Sequence, residues 1–238
     1  MLISHSHQFI FFHVTKVAGI SIGNALKPYI EEPTHFRIAR PAAELKGKPN
    51  PMYEMWKAAL LHAKAKDVKK ELTPDIFDDY FKFAFVRNPW DWQVSMRHFI
   101  LKETTHIHHE RIKAMQSFEE YLDWVMNTKN PYPKGGTKFQ KQAIADDEGH
   151  LLVDYLGRFE DLATGFNQVC RHLKLDTSLP HLNKSRHSDY KSYYDDTTRQ
   201  MVEDYFKDDI TLFGYQFDGY EEQHENIGFV GQNAELTA

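Results

Sequence analysis

Phe9-Ile10-Phe11-Phe12-His13-Val14 runs directly into Thr15-Lys16-Val17-Ala18-Gly19-Ile20-Ser21, and the fold is read outward from this junction. The first six residues favour β-structure with little polar alternation, which predicts a short strand buried on both faces. Thr15 to Ile20 forms a turn of mostly small residues that holds Lys16, Ala18 and Gly19. From Ser21 to Tyr29, Ile22, Ala25, Leu26 and Tyr29 recur at helical spacing. Strand, turn and helix in that order open a parallel α/β sheet.

Two further segments repeat the theme. Phe81-Lys82-Phe83-Ala84-Phe85-Val86 reads as a second buried strand, ending at Arg87. Asn88-Pro89 then has the form of an N-cap with proline at the first helical position, and Trp90 to Leu101 continues the helix. Leu151 to Leu156 reads as a third strand, followed by Gly157-Arg158-Phe159-Glu160 and a helix to Leu173. The pattern predicts an α/β, three-layer P-loop-like fold whose central parallel sheet is flanked by helices. Between these units lie a Pro- and charge-rich loop (Glu31 to Pro51) and a helical stripe within Tyr53 to Leu72. A helix from Ser117 to Met126 and a Pro/Gly loop from Asn130 to Gly136 follow. Asn183 to Asp189 is a polar, basic loop, and a helix is expected from about Asp195 to Lys207. The expected organisation is one domain over 1–217 and a loosely held acidic tail over 218–238.

Bulk properties narrow the function. The chain has 238 residues, 41% of them hydrophobic and 14% aromatic, enough for a packed core. Net charge is 29 − 34 = −5 with histidine neutral, which argues against a general nucleic-acid partner but leaves room for a local basic cleft. Cys170 is the sole cysteine, so no disulfide forms within the chain. Its helical, apolar setting predicts a buried and unreactive thiol. No leader pattern precedes Phe9, and Phe9 to Val14 is too short to span a membrane, so a cytoplasmic setting is expected.

The junction also carries chemistry. A turn that leads from a buried strand into a helix N-terminus presents backbone N–H groups and the positive end of the helix dipole to an anion. Gly19 permits close approach, Ser21 offers a hydroxyl and Lys16 a mobile charge. The string is not Walker A, in which lysine immediately precedes the hydroxyl residue. Arg87, at the end of the second strand, and Ser95, two helical turns on, form a second candidate anion site. An arginine paired to Asp91 with Ser95 merely packed is the plainer reading of the same residues. Two anion sites at two strand ends suit a nucleotide phosphorylated at both 3′ and 5′ positions better than ATP.

The residues from Phe11 to Ser21 resemble the 5′-phosphosulfate loop of the sulfotransferases that use 3′-phosphoadenosine 5′-phosphosulfate (PAPS). Phe83 to Asp91 with Ser95 is similar to their 3′-phosphate motif, and Val153 to Leu162 to a third block. The stretch from Leu182-Asn183-Lys184-Ser185 through Tyr194-Asp195 to Phe213-Gly214-Tyr215 resembles their C-terminal region. The branch is the carbohydrate-type one, with heparan sulfate and chondroitin sulfotransferases and small bacterial relatives. The resemblance implies a PAPS-dependent O-sulfotransferase acting on an acceptor hydroxyl, on a glycan in this branch, with no metal required. It implies donor contacts from Lys16, Val17, Ala18, Gly19, Ile20, Ser21, Arg87 and Ser95, with Lys184 and Arg186 closing over the nucleotide. Lys16 would stabilise the leaving oxygen.

Among 14 histidines, His62 corresponds to the family's catalytic base, with His13 the runner-up. His62 is expected on a helical face shared with Ala58 and Ala65, and His13 inside a strand. The sequence departs from the family at Thr15, Ile20 and Trp92, where proline, a hydroxyl residue and arginine are usual. His106, His108 and His109 lack the partners that would complete a metal site. A P-loop nucleotide kinase and a catalytically silent nucleotide- or glycan-binding module remain the alternatives. Oligomeric state leaves no mark on the sequence.

Overall fold

The computed structural model describes residues 1–30, 60–132, 136–179 and 189–231. The chain forms two compact units, each assembled from separate stretches of sequence: Met1–Val86 with Tyr132–Leu182 and Glu225–Ala238, and Arg87–Pro131 with Asn183–His224.

The first unit is built on a five-stranded sheet. Its strands are β1 (Leu2–Ser4), β2 (Phe9–Phe12), β3 (Phe81–Val86), β4 (Tyr155–Arg158) and, at the far edge, a short strand at Gly228–Phe229. β2, β3 and β4 run parallel, with Phe11 opposite Phe83 and Phe83 opposite Tyr155. Both edge strands are antiparallel, so the sheet is mixed rather than wholly parallel as expected. Every residue of β2 is buried, which is why its sequence shows no alternation. The Phe9, Phe11, Phe83 and Phe85 side chains are fully buried, each stabilising by about 1.5–3 kcal/mol over exposure.

Helix α1 (Gly19–Leu26) follows β2 and gives way to a 3₁₀ turn over Lys27–Tyr29, because Pro28 has no N–H to continue the α-ladder. α2 (Ala65–Glu71) and α3 (Pro74–Asp79) precede β3. The continuous helix expected over Tyr53–Leu72 is broken: Leu60 and Leu61 are helical, His62 lies in a turn, and Lys64 is extended before α2 begins. β4 begins four residues later than the expected third strand. Leu151 instead bridges to Ala145, and Asp154 N–H donates to Lys82 O at 2.7 Å, leading the chain into register beside β3.

One short segment of the stretch 218–238 joins the sheet. Gly228 and Phe229 pair with Leu156 and Tyr155, and the Phe229 ring meets Phe81, Tyr155 and His172.

The second unit is mainly helical. Asn88 caps α4 (Pro89–Lys102) by accepting from Trp90 N–H at 3.0 Å, as its sequence predicts. α5 (His109–Lys113) packs on α4. α6 (Phe118–Asn127) starts at an N-capping Ser117. In the first unit, α7 (Lys141–Ile144) packs on α2, and α8 (Leu162–Leu173) lies on β4. The last helix of the second unit divides into α9 (Asp196–Tyr205), opened by a capping box from Asp195, and α10 (Lys207–Phe213). α9 packs on α4 and α6 around Trp90, Trp92, Tyr121 and Phe206, all fully buried. A short hairpin, β5 (Tyr215–Gln216) with β6 (Gly219–Tyr220), completes the unit, and the edge strand Gly228–Phe229 is β7.

Candidate active site

β2 ends at Phe12, so His13 stands just beyond the strand rather than inside it. The turn that follows is unusual in its backbone. Lys16 has φ 64° and Ala18 φ 60°, two non-glycine residues in the left-handed region on either side of Val17. Each such residue costs roughly 1–2 kcal/mol against the right-handed form. Strain of this kind collects where a loop must aim its groups. Turns with left-handed residues form concave nests of N–H groups that receive anions. Ser21 and Ile22 N–H donate to Ala18 O, and no side chain caps the start of α1. Val17 is fully buried, Lys16 and Ser21 are half-buried, and Ile20 is 78% exposed.

The His13 ring lies against the first residue of α1. A Cβ on Gly19 would stand 1.8 Å from His13 Nε2, so only glycine fits beneath that ring. On the other side the His62 ring packs at 4.7 Å between centroids, inclined by 35°. His62 Nδ1 lies 3.4 Å from the His13 main-chain oxygen. A carbonyl only accepts, so Nδ1 carries the proton and Nε2 is left with the lone pair. Burial, the nearby His62 and the Met1 amine push the His13 pKa down to about 3. The His62 pKa is also lowered, by burial first and the Met1 amine last, against an opposing hydrogen bond to the His13 backbone. Both imidazoles are accordingly neutral near pH 7. The break before Lys64 separates His62 from the helix that carries Ala65, with which it was expected to share a face; Ala58 lies outside the described residues.

In the second unit, Arg87 is almost wholly buried and pairs with Asp91, Nε at 2.8 Å and Nη2 at 2.7 Å from Oδ2. This is the plainer of the two pairings considered from sequence. Ser95 is 5% exposed, on the same helix as Asp91. The structure thus gathers His13, Gly19 and His62 in one unit and Arg87, Asp91 and Ser95 in the other. Lys184 and Arg186 lie outside the described residues. The clustered histidines have other partners: His109 Nδ1 donates to Ile100 O at 3.1 Å, and His108 meets the Trp124 ring edge-on. Cys170 is buried, and burial raises its thiol pKa to about 11, so it carries no thiolate near neutrality.

A left-handed turn at a helix start, beside the neutral imidazoles of a buried His13 and a half-buried His62, is an arrangement that can serve transfer of a charged group to a hydroxyl. The Sulfotransferase family matches residues 1–216, nearly the whole chain.

The chain belongs to the sulfotransferase family.

No curated protein and no solved structure matches it. Membership makes the chain a transferase of sulfuryl groups, and its mixed five-stranded sheet with flanking helices is consistent with a sulfotransferase fold. Among the described residues no helix is long and apolar enough to cross a membrane. From sequence His13 was the runner-up base inside a strand, and its contact with Gly19 was not read.

Proposed function

We propose that this sulfotransferase takes its sulfuryl group from PAPS and delivers it to an acceptor hydroxyl, on a carbohydrate as the resemblance implies. The observation that carries the reading is the junction itself: a left-handed turn at Lys16 and Ala18, opening α1 at a glycine overlaid by neutral His13, with His62 stacked behind. The residues present fit a phosphosulfate. No side chain caps the start of α1, and Lys16 and Ala18 hold the backbone before it in the left-handed region.

In this reading the amides of residues 16–20 and the Ser21 hydroxyl hold the 5′-phosphosulfate end. Ile20 brings no hydroxyl, so the backbone carries more of that load. Lys16 neutralises charge on the oxygen that leaves sulfur and can protonate it. Arg87 and Ser95 receive the 3′-phosphate, with Asp91 holding the guanidinium in plane. His62 Nε2 takes the acceptor proton as the oxygen–sulfur bond forms. No metal is needed, because a sulfuryl group carries less charge than a phosphoryl group. Lys184 and Arg186 are assigned to cover the nucleotide, 1–217 to the transferase domain, and the parallel core of the sheet to a P-loop-like topology.

The test is transfer from labelled PAPS to a panel of glycans and simple alcohols, with EDTA present. Lys16→Ala should lower the rate about 10²–10³-fold. His62→Ala should lower it about 10²–10⁴-fold. Tight ATP binding with no preference for a 3′-phosphate would transfer the assignment to a nucleotide kinase. Donor binding without transfer to any acceptor would favour the silent module.

A further inference from the structure

His13 enters the reading above only as a neighbour, yet its position is tightly specified. Its ring is boxed by Gly19 on one side, where not even a methyl group fits, and by the His62 ring at 4.7 Å on another. Phe11 stacks on it at 6.1 Å and 21°. The residue is 9% exposed, and Nδ1 has no hydrogen-bond partner. A polar ring buried in this way costs free energy that packing alone would avoid with a leucine or phenylalanine. Its main-chain oxygen, meanwhile, accepts from His62 Nδ1.

We propose that His13 is a positioning residue for His62: its carbonyl selects the Nδ1–H tautomer, and its ring, wedged against Gly19, supports the plane of the His62 ring so that Nε2 is held as the basic nitrogen. This rests on the assignment of His62 as the base that accepts the hydroxyl proton. No covalent step is added. The proton leaves the acceptor oxygen for His62 Nε2, and His13 neither gains nor loses one. Among the described residues, the titratable groups that act on the pair are each other and the Met1 amine, which donates to the Leu60 carbonyl at 2.6 Å. A neutral His13 puts no second charge beside the imidazolium that forms on His62. Glycine at position 19 thereby has a second purpose besides opening the turn: it fixes where the His13 ring can lie.

The experiment is histidine ¹⁵N NMR on the full chain across pH, read together with kcat and donor Kd. The unsubstituted chain should show His62 protonated at Nδ1 and unprotonated at Nε2, titrating below the ordinary imidazole value. His13→Ala keeps the carbonyl but removes the ring. Without the ring to hold its plane, His62 turns away from that carbonyl, so the variant should mix the His62 tautomers, raise its titration towards the ordinary value, and lower kcat about 10²-fold with donor Kd unchanged. Gly19→Ala leaves residue 13 intact but displaces its ring, and should produce the same change in the His62 signals. If His62 in both variants keeps the tautomer and titration of the unsubstituted chain, His13 does not position it. The NMR readout needs no turnover, so it separates this inference from the reading beneath it: full transfer by His62→Ala removes the base assignment, whatever the spectra show.

Discussion

At position 19 a methyl group would occupy space already held by His13 Nε2, so the two residues must depend on each other. Gly19→Ala should cost about 1–3 kcal/mol of stability through overpacking. In a His13→Ala background the same change should cost little, because the ring it collides with has gone. Urea denaturation of the two single variants and the double variant measures that coupling, and strict additivity would contradict the packing. His13 also gives stability a pH dependence. Its pKa is about 3 folded against 6.5 for an unperturbed imidazole, so unfolding takes up a proton between those values. The stability held by neutral His13 is present above pH 6.5 and is lost as pH falls towards 3. Melting temperature should therefore fall on acidification below 6.5, and His13→Ala should flatten that slope. The strand, turn and helix at the junction were legible from sequence. The left-handed backbone at Lys16 and Ala18 was not, because neither residue favours that conformation by itself.

Elements with strong local signals lie where the sequence put them. Phe81–Val86 is the expected strand, and Asn88 with Pro89 starts the expected helix. Elements specified by partners differ. β4 is set by its alignment with β3, and a Cβ on Gly157 would stand 2.3 Å from Phe85 Cε1. Gly157→Ala should therefore destabilise by about 1–3 kcal/mol, seen as a lower urea midpoint at unchanged slope. Asp195 supplies the opposite, purely local case. Its carboxylate accepts from Thr198 N–H at 2.8 Å while Thr198 Oγ1 accepts from Asp195 N–H. Asp195→Ala should cost about 1 kcal/mol, measurable in the same denaturation experiment. The apolar stripe that runs through Tyr53–Leu72 did not disclose the break after Leu61, since leucine and alanine suit either side of a helix end equally.

For the molecule as a whole, a net charge of −5 means that the bisphosphorylated donor proposed above would not be drawn in by bulk attraction. Discrimination has to come from local groups, and calorimetry should show clearly weaker binding once the ribose 3′-phosphate is removed. The far end of the chain bears on stability too. β7 closes the β4 edge of the sheet, and Phe229 is held among three rings, so truncation after Phe217 should lower the melting temperature even though the family match ends at 216. Sequence alone determined the strand–turn–helix opening, the buried strands, the Asn88 cap and the family, because these rest on local patterns of side chains. Tertiary structure alone decided the antiparallel edges of the sheet and the meeting of His13, Gly19 and His62. Those depend on residues far apart in the chain sharing one volume, and no local pattern encodes which ring will lie against which backbone.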